Sequence, residues 1–257
     1  MDSPWFTTFS YVDDVQLRLF CFHYADGSSN VFRTWQAHMP KSIEIVAVEL
    51  PGRGKRLSET CQTDLLSLVE KIGAELTSCL DVPFAFFGHS MGALLSFELA
   101  RLLRKFSLTM PEHLFLSAHK APHLPRESEP LHTLPESAFV KRLYDMNGTP
   151  KAVLENDELR TLFLPVLRAD FAACETYQFK ASMPLDCPIT VFGGKDDHEV
   201  DAYSLREWEQ HTTGSFHMHL CSGDHFFIHA AERSLFRLLV PSLEAIAHKD
   251  RARFVSH

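Results

Sequence analysis

Short apolar, β-rich runs recur along this chain with helix-period patterns between them. The runs are VQLRLFCFHY (15–24), IEIVAVEL (43–50), FAFFGH (84–89), HLFLSAH (113–119), PITVFGG (188–194) and SFHMHLC (215–221). Runs of strand length alternating with helices are the signature of a mostly parallel central sheet covered on both faces. Between 64 and 80, Leu65, Leu68, Val69, Ile72, Leu76 and Leu80 fall at steps of three and four, which predicts a helix. MGALLSFELARLLRKF (91–106) predicts a second, and 226–247 a third. With 257 residues, 45% of them hydrophobic and 23% charged, the chain has the composition of a globular protein and can bury one sizeable core.

One segment breaks the alternation. From about 122 to 180 prolines at 122, 125, 130 and 135 lead into helical patterns at 137–146 and 156–178, with no convincing strand. A helical insertion between two strands of one sheet fits this, and such insertions commonly act as lids over a site at the sheet's edge. The expectation is one domain over 1–257 with a helical lid at about 122–180.

The strongest chemical signal is FGHSMGA (87–93). Gly88-His89-Ser90-Met91-Gly92 is a G-x-S-x-G placed after an apolar run and before a long amphipathic helix, which is the context that pattern requires. A tight strand-to-helix turn would lift Ser90 above the sheet as a nucleophile. The N–H of Met91, at the start of the helix, would face developing negative charge as an oxyanion donor. The bland alternative is that Ser90 is only a helix N-cap.

A serine nucleophile needs a base within hydrogen-bond reach. Among 15 histidines, His225 in CSGDHFFIH occupies the loop after the last strand, where this fold class puts its base, following the order nucleophile, acid, histidine. His217 and His219 lie within a strand pattern, His229 reads as helix surface, and His89 as site architecture. The acid that orients the imidazole belongs after the preceding strand, where VFGGKDDHEV offers Asp196 and Asp197. Adjacent residues leaving a strand tend to point opposite ways, so only one of them can serve.

These residues resemble the type II (external) thioesterases of nonribosomal peptide and polyketide synthesis, within the α/β-hydrolase superfamily. The resemblance rests on LFCFHYADGSS, VELPGRG (48–54), FGHSMGA, LPVLRADFAACETY, ITVFGGKDD and GDHFFI, and covers most of the chain. It implies an α/β-hydrolase fold, and it selects Asp197, the last position of the FGGxxD-like run, as the triad acid. A second oxyanion donor is implied at the backbone N–H of Ala25. There the family loop usually reads A-G-G, whereas this chain has Asp26. A carboxylate aimed into an oxyanion hole would oppose its purpose, so the Asp26 side chain is expected to turn outward, toward the helix beginning near Ser29.

The function implied is hydrolysis of acyl thioesters on the phosphopantetheine arm of acyl or peptidyl carrier proteins, editing misprimed or stalled synthases. A carboxylesterase of small oxyesters, a medium-chain fatty acyl carrier-protein thioesterase and a non-catalytic carrier-binding module are the alternatives. Leu162, Phe163, Val166, Leu167 and Phe171 are acyl-pocket candidates in the lid, or else simply the helix face that packs on the core. No cofactor and no metal is expected, with no H-E-x-x-H or C-x-x-C pair present.

A net charge of −8 argues against a nucleic-acid partner, which needs a concentrated basic face. Six scattered cysteines read as reduced thiols. The N-terminus has no secretory pattern, and no run approaches the 18 or so apolar residues of a membrane span. A cytoplasmic monomer is expected.

Overall fold

The computed structural model describes residues 3–126 and 129–254. Its strands are β1 (Phe6–Thr7), β2 (Leu17–Phe22), β3 (Ile43–Val48), β4 (Phe84–His89), β5 (Leu114–Ser117), β6 (Ile189–Gly194) and β7 (Phe216–Cys221). They form one sheet in the order β1-β3-β2-β4-β5-β6-β7, parallel throughout except for the antiparallel pairing of β1 on β3. The sequence reading misses β1 because it consists of two residues, Phe6 and Thr7, opposite Val48 and Ala47; two residues carry no periodicity.

Both faces of the central strands are buried, as near-continuous apolar runs require. On one face Phe20, Phe86 and Val46 pack under α1 (Leu65–Leu76) and α2 (Met91–Lys105). On the other, Cys21, Phe87 and Ala47 pack with Trp35 and with the long C-terminal helix. Asp64 caps α1 by accepting from the Ser67 N–H. That helix stops at Leu76 rather than near 80, in a 3₁₀ turn over Thr77–Cys79. The Thr77 and Ser78 hydroxyls bond back to the carbonyls of Ala74 and Glu75, which favours the tighter turn.

Between β5 and β6 run α3 (Glu136–Met146), α4 (Lys151–Glu155) and α5 (Asp157–Glu175). The five-residue α4 is too short to leave a helical period and was not expected. These helices share a small core of their own, with Phe139, Leu143, Leu154, Leu164 and Leu167. Glu175 ties the end of α5 down by accepting from the N–H groups of Leu131 and His132. After β6 come α6 (Ala202–Arg206), then β7, and the expected last helix divides into α7 (Phe227–Ala230) and α8 (Glu232–Phe254). The carboxyl ends of β2, β4, β6 and β7 open toward the inserted helices, and the site lies there.

Candidate active site

At the end of β4 the chain turns through Ser90 at φ 53°, ψ −117°, then enters α2 at Met91. A positive φ is strained for a side chain such as serine. The turn is held by the Ser90 N–H donating to the Ser117 carbonyl at 2.7 Å. It also needs the flanking glycines. A Cβ on Gly88 would lie 2.1 Å from the Gly92 carbonyl oxygen, and one on Gly92 would lie 2.1 Å from that of Phe22. Strand, helix and the end of β2 therefore approach backbone to backbone.

His225 leaves β7 and reaches both candidate partners. Its Nε2 lies 3.0 Å from Ser90 Oγ and its Nδ1 lies 2.9 Å from Asp197 Oδ2. The other Asp197 oxygen accepts from the N–H groups of Glu199 at 2.8 Å and Val200 at 3.1 Å. A carboxylate so held accepts from Nδ1–H, which leaves Nε2 bare toward the serine. Asp196 is exposed, and its backbone N–H donates to the Gly223 carbonyl at 3.0 Å.

His89 is fully buried, and burial drives it well below the ordinary histidine range, so it is neutral. Its Nε2–H donates to the His225 carbonyl at 2.9 Å, and its Nδ1 accepts from the Ser117 hydroxyl at 2.8 Å. It thus props the loop of the candidate base. His229 is at the surface but does more than the sequence suggests, since its Nε2 lies 3.0 Å from the Tyr24 hydroxyl.

A small cavity of about 50 Å³ sits over Ser90 and His225. Ala25 borders it, and Leu143, Met146, Thr149, Leu167 and Phe171 reach it from the inserted helices. Of the five lid candidates, Leu167 and Phe171 line it, but Leu162 faces solvent and Phe163 and Val166 do not reach it. Helix phase explains the correction. Phe163 shares the face of Leu167 and Phe171 one turn farther out, and Leu162 and Val166 lie on neighbouring faces. Leu143 and Met146 of α3, which the sequence reading did not single out, take their place.

A buried ion pair near the site joins two distant stretches, ELPGRG and LRADF. Arg53 grips Asp170 of α5 with its two terminal guanidinium nitrogens, Nη1 and Nη2, each at 2.7 Å, and Nη1 also donates to the Gly27 carbonyl at 3.1 Å. Asp170 Oδ2 in turn accepts from the Asp26 N–H at 2.9 Å. A charged residue on an otherwise apolar helix face was the available signal, because buried charges are paired.

Asp26 corrects a further expectation. Its side chain does not turn outward to Ser29, whose N–H and hydroxyl are both taken by Glu49. Instead Oδ2 accepts from the Thr149 hydroxyl at 3.2 Å, and Oδ1 is buried without a partner. Burial, assisted by the neighbouring Asp170, pushes this carboxyl up to about 7, against the pull of Thr149 and Arg53. The residue holds φ at 68°, in the left-handed region where a glycine would be at ease.

Among the described residues, no group of three or more His, Cys, Asp or Glu side chains is placed to hold a metal ion, and no helix is long and apolar enough to cross a membrane. Residues 17–243 match the family model described as Thioesterase domain. The gramicidin S biosynthesis protein GrsT of Aneurinibacillus migulanus is 41% identical over 244 residues, 95% of each chain. Among solved structures, the RedJ thioesterase from the prodiginine pathway of Streptomyces coelicolor is 38% identical with a TM-score of 0.84, over 89% of this chain and 86% of that one. The type II thioesterase BorB from the borrelidin biosynthetic cluster is 30% identical with a TM-score of 0.86, over 95% and 99%. With the parallel sheet, the strand-to-helix turn at Ser90 and these relatives in hand, the chain belongs to the thioesterase family of the α/β-hydrolase fold, among its type II thioesterases.

Proposed function

We propose that this thioester hydrolase releases acyl groups from the phosphopantetheine arm of acyl or peptidyl carrier domains, editing a nonribosomal peptide or polyketide synthase in the cytoplasm as a monomer. The observation that carries the reading is the relay from Asp197 through His225 to Ser90 beneath a cavity roofed by the inserted helices.

Ser90 Oγ bonds to the thioester carbonyl carbon as its proton passes to His225 Nε2, and Asp197 stabilises the imidazolium that forms. The N–H groups of Ala25 and Met91 receive the oxyanion. Met91 heads α2, where first-turn N–H groups have no partner within the helix. The tetrahedral intermediate expels the thiolate, which takes the proton from His225. A thiol pKa of about 8.5 makes this a good leaving group. Water then gives a proton to His225 while its oxygen bonds to the acyl carbon, and Ser90 leaves with that proton. These steps use only groups of the chain, the substrate and water.

The cavity, at about 50 Å³, is far below the roughly 300–1,000 Å³ of an occupied small-molecule site, so in this reading the inserted helices act as a lid that moves to admit an acyl chain. Carrier domains loaded with acetyl, hexanoyl or aminoacyl groups, mixed with the protein or its Ser90→Ala variant and followed by mass, test the reading. Release by the unmodified protein alone is expected. Equal release by both would remove Ser90 from the mechanism. Turnover of a simple oxyester without release from carriers would make the protein a carboxylesterase. Release confined to hexanoyl would place it with the medium-chain fatty acyl enzymes.

A further inference from the structure

The loop that carries Ala25 is held from the insertion rather than from the sheet alone. Residues 24–27 form a turn in which the Gly27 N–H donates to the Tyr24 carbonyl at 2.9 Å, with Asp26 third at its positive φ. Asp26 is clamped twice. Its N–H is bound by Asp170 of α5, and its carboxylate by the Thr149 hydroxyl in the loop joining α3 to α4. Thr149 is buried, and the preceding Gly148 presses on the Phe226 ring so closely that a Cβ there would lie 2.3 Å from Cζ. The α3–α4 loop therefore touches the Ala25 loop on one side and the neighbour of His225 on the other. A movement of the inserted helices that lifted this loop would break the Asp26–Thr149 contact.

We propose that Thr149 and Asp26 are positioning residues through which lid closure sets the Ala25 peptide, so that the oxyanion site is complete only when the α3–α4 loop is seated. The inference rests on the reading of Ser90 as nucleophile and Ala25 as oxyanion donor. A left-handed aspartate with one buried oxygen unpartnered is an expensive way to build a turn that glycine would build freely. Its return is a side-chain contact that glycine cannot make, aimed at the moving part.

The proposal predicts a loss in turnover rather than in binding. Thr149→Val keeps the shape and removes the donor, while Thr149→Ser restores it. Rates are measured on acetyl-pantetheine and on p-nitrophenyl acetate. Thr149→Val should lower kcat about tenfold on both with KM within about twofold, Thr149→Ser should recover most of it, and Asp26→Gly should lose a similar factor. The double variant Asp26→Gly/Thr149→Val should be no slower than the worse single, because both remove one contact. Unchanged kcat in Thr149→Val, a loss confined to KM, no recovery by serine, or losses that multiply in the double variant would overturn the coupling. If Asp26→Gly does not fold, the valine and serine pair still decides. An unmodified protein that turns over the ester but not the thioester defeats the thioesterase reading and leaves the coupling measurable on the ester. An unmodified protein silent on both defeats the two together.

Discussion

The two sides of the site are built by different means. On the side of Ser90, His225 and Asp197 the positions come from the ends of β4, β6 and β7. Asp197 accepts three hydrogen bonds, two of them from backbone N–H groups. On the side of Ala25 the positions come from charges: Arg53 on Asp170, Asp170 on the Asp26 N–H, and Asp26 on Thr149, with one carboxylate oxygen left over. The first side is fixed by a ladder that cannot shift without unmaking the sheet. The second hangs on the inserted helices, and under the proposed lid reading it is remade each time they close.

If that division holds, the largest losses follow substitutions on the sheet side, with the fold intact. Ser90→Ala and Asp197→Asn should each lower kcat by about 10⁴-fold or more, with a melting temperature close to that of the unmodified protein. Asp196→Asn should stay within about threefold, since its carboxylate is exposed. A large loss in Asp196→Asn with a small one in Asp197→Asn would move the acid by one residue.

Breaking the charged side should first cost stability. Arg53→Ala leaves Asp170 buried without its counter-ion, and removal of one partner from such a pair is destabilising by about 3–5 kcal/mol. Arg53→Lys should recover little of it, because a single ammonium cannot repeat the two-nitrogen grip at 2.7 Å. Urea unfolding of the three proteins reads this directly. A loss under about 1 kcal/mol would mean the pair is not what secures α5 to the Ala25 loop.

The same side should respond to pH in a way the sheet side does not. The Asp26 carboxyl, facing Thr149, Asp170, Arg53 and Tyr24, is raised from 3.8 to about 7. The folded protein therefore holds this proton more tightly than the unfolded chain. Between those two values the folded state binds more protons, so the contribution is favourable at low pH and is lost as pH rises through about 7. Asp26→Asn removes the ionisation, and its stability relative to the unmodified protein should rise between pH 5 and pH 8 by on the order of 2 kcal/mol. Ionised Asp26 also lies beside the proposed oxyanion donor, so kcat should sag above pH 7 in the unmodified protein and not in the variant. Parallel pH profiles for the two proteins, in melting and in kcat, would place that charge away from both folding and turnover.

The contrast also explains what the sequence made legible. Ser90 and His225 could be found from local pattern because a strand-to-helix turn and a post-strand loop each leave a signature within a few residues. Asp197 could not be separated from Asp196 by pattern alone; chain order gave the loop and family resemblance gave the residue. The parallel strands β2 to β7 came within about two residues of their observed ends, since a buried parallel strand is a continuous apolar run. The grip of Arg53 on Asp170 spans 117 positions: a charge on the apolar face of α5 signals that Asp170 needs a partner, but nothing local says which residue that is. The direction of the Asp26 side chain was misjudged for the same reason: its partner, Thr149, is 123 residues away, and the nearer Ser29 already belonged to Glu49. The lid face was misjudged by one turn of α5, because an apolar stripe does not say which of its residues overhang the cavity.

The smallest expected effect falls on the residue between the two sides. Tyr24 leaves β2 next to Ala25, and its ring meets His89 at 5.8 Å and Phe226 at 5.1 Å, both edge-on, while its hydroxyl reaches His229. The ring therefore touches the props of His225, but the hydroxyl bond is an exposed one, worth about 0.5–1.5 kcal/mol at most. Tyr24→Phe keeps the ring contacts and should change stability by less than about 1 kcal/mol and kcat by less than about threefold. Tyr24→Ala removes the packing from both histidine supports and should be worse in both measures. A Tyr24→Phe variant that lost tenfold in kcat without losing stability would make the hydroxyl a link between the Ala25 loop and the His225 loop. The two sides of the site would then be one mechanical unit, and the lid would act on the base as well as on the oxyanion.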